Sequence, residues 1–421
     1  MREMKNSGIE YVGEIPAHWN MHPLYYYFGE RKHKNSLGQE DNLLSLSYGD
    51  IIRKDINSNG GLLPESFNTY NIIETGDIII RPTDLQNDKR SLRTGLAKEH
   101  GIITSAYIAL MPTKPVNVAY YHYLLHAFDV IKVFYNMGNG VRQGLNFSEF
   151  SRLMVLEPPI KEQNEIADNL DVKCNEINSL SVDIQTQINT LEHYKRSIIT
   201  EAVTKGLNSN AEMKDSGIEY VGEIPAHWNM HPLYVYFGER KHKNSLGKEN
   251  NLLSLSYGNI IRKDINTSDG LLPESFNTYN IIEAGDIIIR PTDLQNDKRS
   301  LRTGLAKEHG IITSAYIALM PTKPVNVAYY HYLLHAFDVM KVFYNMGNGV
   351  RQGLNFSEFS RLMVFEPPIK EQNEIADYLD AKCSEIDKVI ADKNEQLSTI
   401  EEYKKSLIYE YVTGKKEVPT A

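Results

Sequence analysis

The residues of this chain best suited to chemistry are cations and amides in polar, glycine-marked loops. They are Arg81 with Lys89, Arg90 and Arg93; Arg142-Gln143 inside Gly138 to Gly144; Arg53-Lys54; and Ser47-Tyr48 before Gly49. An arginine fork or a glutamine amide grips two groups of a planar edge at once, whereas lysine, serine and backbone amides suit phosphate oxygens. That combination reads base edges while holding a charged backbone, so these residues are candidate DNA contacts. The same set recurs downstream as Ser256, Tyr257, Arg262, Lys263, Arg290, Lys298, Arg299, Arg302, Arg351 and Gln352. The plainer reading of any such loop is a solvated charged surface, and Arg31-Lys32-His33-Lys34 is the weaker case.

Catalytic patterns fare worse. The chain has no Asn-Pro-Pro-Tyr or Asp-Pro-Pro-Tyr string for amino-methyl transfer, and no Gly-x-x-x-x-Gly-Lys-Ser/Thr string to cradle a nucleotide phosphate. His122 and His126 share the spacing of a zinc pair, but Tyr123 stands where a metalloprotease has Glu, so a core or surface pair is the better reading. Asp84, Asp88 and Lys89 loosely resemble a metal-dependent nuclease cluster. They keep a two-fold symmetric nuclease, with Asp293 as a second-copy counterpart, as the rival enzyme reading. A DNA-binding repressor is the rival that does no chemistry.

The elements that position these residues are written twice. Met4 to Asp168 recurs as Met213 to Asp377 at a constant offset of 209 residues with eleven substitutions, among them Asp50 to Asn259 and Gly60 to Asp269. A period this long marks whole domains and not stacking units. Two like domains on one chain suit a target that shows one face twice about a two-fold axis, as duplex DNA does. In each copy, apolar runs such as Asn71 to Ile73, Asp77 to Ile80 and Ile102 to Leu110 predict strands. The spacing of Tyr120, Tyr123, Leu124, Ala127, Phe128, Ile131 and Phe134 predicts a helix over 119–135.

After Pro158-Pro159 the stretch to Lys205 holds neither Pro nor Gly, and its apolar residues fall at Leu170, Ile177, Ile184, Leu191 and Ile198. That seven-residue repeat, with Leu180 and Tyr194 at the +3 positions, predicts a coiled-coil seam. The second copy repeats it through Leu379, Ile386, Ile400 and Leu407, with Val389 and Tyr403 at +3 and Lys393 in place of Ile184. A narrow apolar stripe needs a partner, and the simplest is the other helix. If equal domains at the two N-terminal ends face one duplex, the helices run antiparallel. The expected fold is α+β: two globular mixed α/β domains (1–160 and 207–369) separated by two long helices (161–206 and 370–421) that form an antiparallel coiled coil with pseudo-two-fold symmetry.

Composition sets limits. The net charge of −9 argues against a uniformly basic DNA-coating protein, so contact must come from local patches. The two cysteines, Cys174 and Cys383, are equivalent positions and give no metal-ligand cluster. With neither a signal peptide nor a membrane span legible, a cytoplasmic protein is expected.

Three segments together carry a family resemblance over essentially the whole chain: Ser7 to Trp19 (SGIEYVGEIPAHW), the run Pro158-Pro159-Ile160-Lys161-Glu162-Gln163 to Ile166-Ala167, and Lys195 to Thr204 (KRSIITEAVT). All three recur, the last as Lys404 to Gly414. The chain resembles the specificity subunit of type I restriction-modification enzymes. The resemblance implies alternating recognition domains and helices, and a subunit that is not itself catalytic. Its expected partners are double-stranded DNA, two methyltransferase (modification) subunits carrying S-adenosylmethionine and, where the system also cuts, restriction subunits using ATP and Mg2+. One departure matters: such subunits usually carry two dissimilar recognition domains, whereas these are near copies. A palindromic, two-part site is therefore expected.

Overall fold

A computed structural model describes residues 2–10, 12–56, 64, 66–83, 85, 92–135, 137, 144–266, 273, 275–292, 294, 301–344, 346 and 353–419. The chain divides into two compact units, Met1–Gln185 with Glu395–Ala421, and Thr186–Asn394.

In the first unit the centre is a four-stranded antiparallel sheet in the order Phe28–Glu30, Ile108–Pro112, Ile78–Ile80, Thr94–Leu96. Two-stranded ladders surround it, including the hairpin Leu44–Ser47 with Asp50–Arg53 and the pair Asn71–Ile73 with Gly101–Ile103. The run expected over Ile102 to Leu110 is thus two strands, broken where Tyr107 N–H bonds the Thr104 carbonyl. Ile78, Ile79 and Ile80 are all buried because the strand has packed neighbours on both faces.

Helix α1 (Val118–Val130) is capped by Asn117, whose side chain accepts the Tyr120 N–H. It ends five residues short of the expected Tyr135. Lys132 takes a left-handed φ of 63° and Val133 N–H reaches the Phe128 carbonyl at 2.9 Å, a cap that reverses the chain. The short α2 (Phe147–Phe150) carries a capping box of Asn146 and Glu149. Trp19, Tyr120, Tyr121, Phe128 and Phe134 fill the core beneath. Truncating a fully buried ring such as Trp19 costs about 3–5 kcal/mol.

Helix α3 (Ile160–Lys205) runs from the first unit into the second. In the first unit it pairs with the last part of the closing helix: Leu170 and Cys174 share a cluster with Leu407, Ile408 and Tyr411, and Lys404 donates to Asn178. The two partners step in opposite directions along their sequences, so the pairing is antiparallel.

The second unit repeats the first element for element, through α4 (Val327–Val339), α5 (Phe356–Phe359) and α6 (Ile369–Val412). Its own helix segments are again antiparallel, as Lys195 meets Asp387 and Gln187 meets Lys393. One detail of the seam differs from expectation in both units. Leu180, Tyr194, Val389 and Tyr403 at +3 are 49, 53, 39 and 53% exposed, while the +4 residues Cys174, Ile188, Ala202 and Cys383 are buried. The stripe therefore follows an i, i+4, i+7 face. Lys393 is half-buried, and its amine is held by the Gln187 carbonyl oxygen. Both cysteines are free.

Candidate nucleic-acid interface

The described residues that flank three of the loop groups singled out in the sequence come together within each unit. In the first, Arg81 N–H bonds the Arg93 carbonyl (2.8 Å), which closes the base of the 81–93 loop. Beside it, Leu145 N–H bonds the Pro82 carbonyl (2.9 Å), so the chain just after Gly144 meets the same place. The hairpin turn Tyr48-Gly49 leans on the other flank: a Cβ on Gly49 would lie 3.2 Å from Leu92 Cδ1. The second unit reproduces this through Arg290 to Arg302, Leu354 to Pro291, and Gly258 against Leu301. Lys89, Arg90, Arg142 and Gln143, their counterparts Lys298, Arg299, Arg351 and Gln352, and the rival acids Asp84, Asp88 and Asp293 lie outside the described residues.

Hairpin geometry accounts for four candidates per unit. Ser47 pairs with Asp50 across the turn and is half-buried, whereas Tyr48 is 76% exposed, as Tyr257 is 75% exposed beside Ser256. Arg53 is also exposed, but Glu99 accepts its Nε–H at 2.7 Å, and Arg262 meets Glu308 in the same way at 2.9 Å. These contacts hold each arginine above its usual pKa and each glutamate below its own. The guanidinium is thereby fixed in direction while one face stays open. Lys54 and Lys263 anchor their N–H groups on the Leu43 and Leu252 carbonyls (2.8 Å) and leave the amine in solvent.

Arg93 and Arg302 require a correction. They are fully buried, and a base-reading arginine must reach solvent. Arg93 N–H donates to Asp129 Oδ2, its Nε–H to the Tyr135 hydroxyl (3.0 Å), and its Nη1 to the Thr83 carbonyl. Tyr135 donates in turn to Asp129 Oδ1 (2.8 Å) and receives Lys132 Nζ (2.8 Å). Burial pushes the Asp129 carboxyl up, against the pull of these donors. The arginine is the foundation of the loop and not its reading head. Sequence reasoning missed this network, although an aspartate inside the apolar run LLHAFDVIKVFY is the sort of residue that must be partnered when buried. Arg81 and Arg290 are half-buried at the loop base.

Each domain also meets its helix pair across a cleft, of about 390 Å³ in the first unit and 280 Å³ in the second. Tyr48, Lys98, His126, Asn178 and Lys404 line the first, and their equivalents line the second. Burial holds His122 and His126 down to about 3 and about 4, and His331 and His335 likewise, so these imidazoles are neutral. The ring centroids of His122 and His126 are 6.4 Å apart, and among the described residues no group of three His, Cys, Asp or Glu side chains could hold a metal ion.

The segments that carried the resemblance join domain to helix. Glu162 accepts from Trp19 Nε1 at 2.9 Å and also meets His18 and Arg2; these contacts outweigh its burial and lower its pKa. Gln163 accepts the Asn117 N–H (3.0 Å) and donates to the Pro158 carbonyl (2.9 Å), tying the start of α1 to that of α3. In the Lys404 to Gly414 segment, Val412 presents its carbonyl to the Tyr120 hydroxyl at 3.1 Å.

No protein-family model matches the chain. It is 26% identical over 322 residues to the proposed type I restriction enzyme MjaX specificity subunit of Methanocaldococcus jannaschii, covering 74% of this chain and 72% of that protein. Its fold matches a solved chain of a type I R-M system at a TM-score of 0.66 and 12% identity, over 96% of this chain and 99% of the other. The HsdS subunit from Thermoanaerobacter tengcongensis aligns at a TM-score of 0.46, 13% identity and 96% coverage of this chain and 98% of that one. In sequence over about three quarters of its length, and in the order of its domains and helices, the chain is similar to specificity subunits of type I restriction-modification enzymes.

Proposed function

We propose that this chain selects the DNA sequence on which a type I restriction-modification complex acts, and that its two units read the same half-site in inverted orientation. The observation that carries the reading is the duplication itself, because each copy gathers the same loops beside the same antiparallel helix pair. Domains 1–160 and 207–369 act as recognition domains, and 161–206 with 370–421 as the conserved helices. Direct contacts come from Tyr48, Arg53, Lys54 and the loops holding Lys89, Arg90, Arg142 and Gln143, with Ser47 and Arg81 at the margin and the second-copy equivalents alike.

The chain is not an enzyme by itself. Methyl transfer from S-adenosylmethionine belongs to two methyltransferase subunits, and cutting with ATP and Mg2+ to restriction subunits where these join; the complex acts in the cytoplasm, where its DNA is. Among the described residues no helix is long and apolar enough to cross a membrane. The test is to incubate the purified chain with plasmid and magnesium, alone and with its methyltransferase. Inert alone and methylating when mixed is the expected result. Cutting alone, lost in the Asp84→Ala and Asp293→Ala variant, would favour the nuclease reading.

A further inference from the structure

We propose that Tyr48 and Tyr257 act as aromatic wedges that press into the base stack of each half-site, so that part of the selectivity comes from how readily a base step opens. This rests on the DNA-reading role above and adds a mechanism to it.

Three observations support it. The first is backbone conformation: Tyr48 and Tyr257 sit at φ 48° and 45°, followed by Gly49 and Gly258 at 92° and 84°. That is the pattern of a two-residue type I′ hairpin, whose first position favours Asn, Asp or Gly. A bulky residue with positive φ is uncommon, and such strain points to function when nothing in the fold demands the side chain. The second is exposure, since 76 and 75% of these tyrosines faces solvent and the ring is not held as packing. The third is a rigid mount. A Cβ on Gly95 would lie 2.6 Å from Leu46 Cδ1 and 2.9 Å from Ile51 Cδ1, so the hairpin is seated directly on the central sheet. Its tip rests on Leu92, at the edge of the charged loop.

A flat ring held outward on a stiff arm, with the exposed Lys98 on the same cleft, matches what an inserting side chain needs: an apolar face for a base and a cation for a flanking phosphate. The phenol faces no fixed hydrogen-bond partner at the tip that would give it another role among the described residues, and its ring can stack on any base. Selectivity would then follow the ease of unstacking, which is greatest at pyrimidine–purine steps.

The experiment uses the full chain in complex with its methyltransferase and a duplex of the methylated sequence carrying 2-aminopurine, whose fluorescence rises on unstacking. Wild type should raise the signal. The variant Tyr48→Asn with Tyr257→Asn should lose that rise and bind about tenfold or more weakly, while its thermal midpoint goes up by roughly 2–4 °C as the turn relaxes. Tyr48→Phe with Tyr257→Phe should keep both signal and affinity. Opposite changes in stability and binding are what a merely structural tyrosine cannot give. Unchanged fluorescence and affinity in the Asn variant would overturn the wedge, and so would a loss confined to methyltransferase binding, which would make the ring a protein contact. Wild type that fails to bind the duplex at all would refute the DNA-reading role itself.

Discussion

At equivalent points of the two units a lysine of one long helix reaches across to the other helix, yet it meets a different group. Lys404 donates to the neutral Asn178 at 2.7 Å, while Lys195 donates to both oxygens of Asp387 at 2.6 and 2.7 Å. The cleft in front of each lysine carries the reverse difference: Asp50 lines the first cleft and Asn259 the second. Each cleft thus keeps a carboxylate near its lysine, on the domain in one unit and on the helix in the other. The local charge is common to the two units, and only its carrier has moved. A second contrast lies where domain meets helix. Glu162 holds Trp19, His18 and Arg2, whereas Glu371 is met by His227, and the indole N–H of Trp228 has no partner among the described residues. Arg2 has only Ala211 as its equivalent. Most of the recognition surface and core is therefore duplicated, and these two contrasts sit where domain faces helix.

The likeness breaks most severely if the buried arginines are not equivalent. Arg93→Met and Arg302→Met should each cost about 1–3 kcal/mol for each buried acceptor left unpaired, since each removes the guanidinium that donates to the Tyr135 or Tyr344 hydroxyl and to the Thr83 or Thr292 carbonyl. Chemical unfolding of the two variants should give matching losses, and a mild effect in either would return that arginine to the surface. Next in size is the response to acid. His122, His126, His331 and His335 have folded values of about 3 to 4 against an ordinary 6.5, so their neutral forms favour the fold above pH 6.5. That stability is lost as pH falls from 6.5 towards 4, where the unfolded chain gains protons first. Thermal midpoints across that window should drop in wild type and drop less in His122→Gln with His331→Gln. The smallest effect concerns the moved carboxylate. Lys195→Met should cost under about 1 kcal/mol and fade with added salt, because it breaks an exposed ion pair; Lys404→Met removes only an amide contact and should respond little to salt.

Much of this architecture was legible from the residues. A repeat of 165 positions with eleven changes marks two like halves, and a stretch without Pro or Gly from Ile160 to Lys205 forms one helix. The inner face of that helix was less legible. A seven-residue period fixes the first seam position, but whether +3 or +4 accompanies it depends on how the partner wraps, and here the +4 face carries Cys174 and Ile188. Arg93 misled for a related reason: a cation in a charged loop reads as surface, while its partners Asp129 and Tyr135 lie 36 and 42 residues on and are invisible to local pattern. The end of α1 escaped because its apolar spacing continues through Phe134, which the core takes up from a turn.

The most direct test is sequencing that detects methylated adenine in a host expressing this chain with its methyltransferase. Two inverted copies of one half-site around an unspecified spacer are the predicted outcome, and two unlike half-sites would contradict the account.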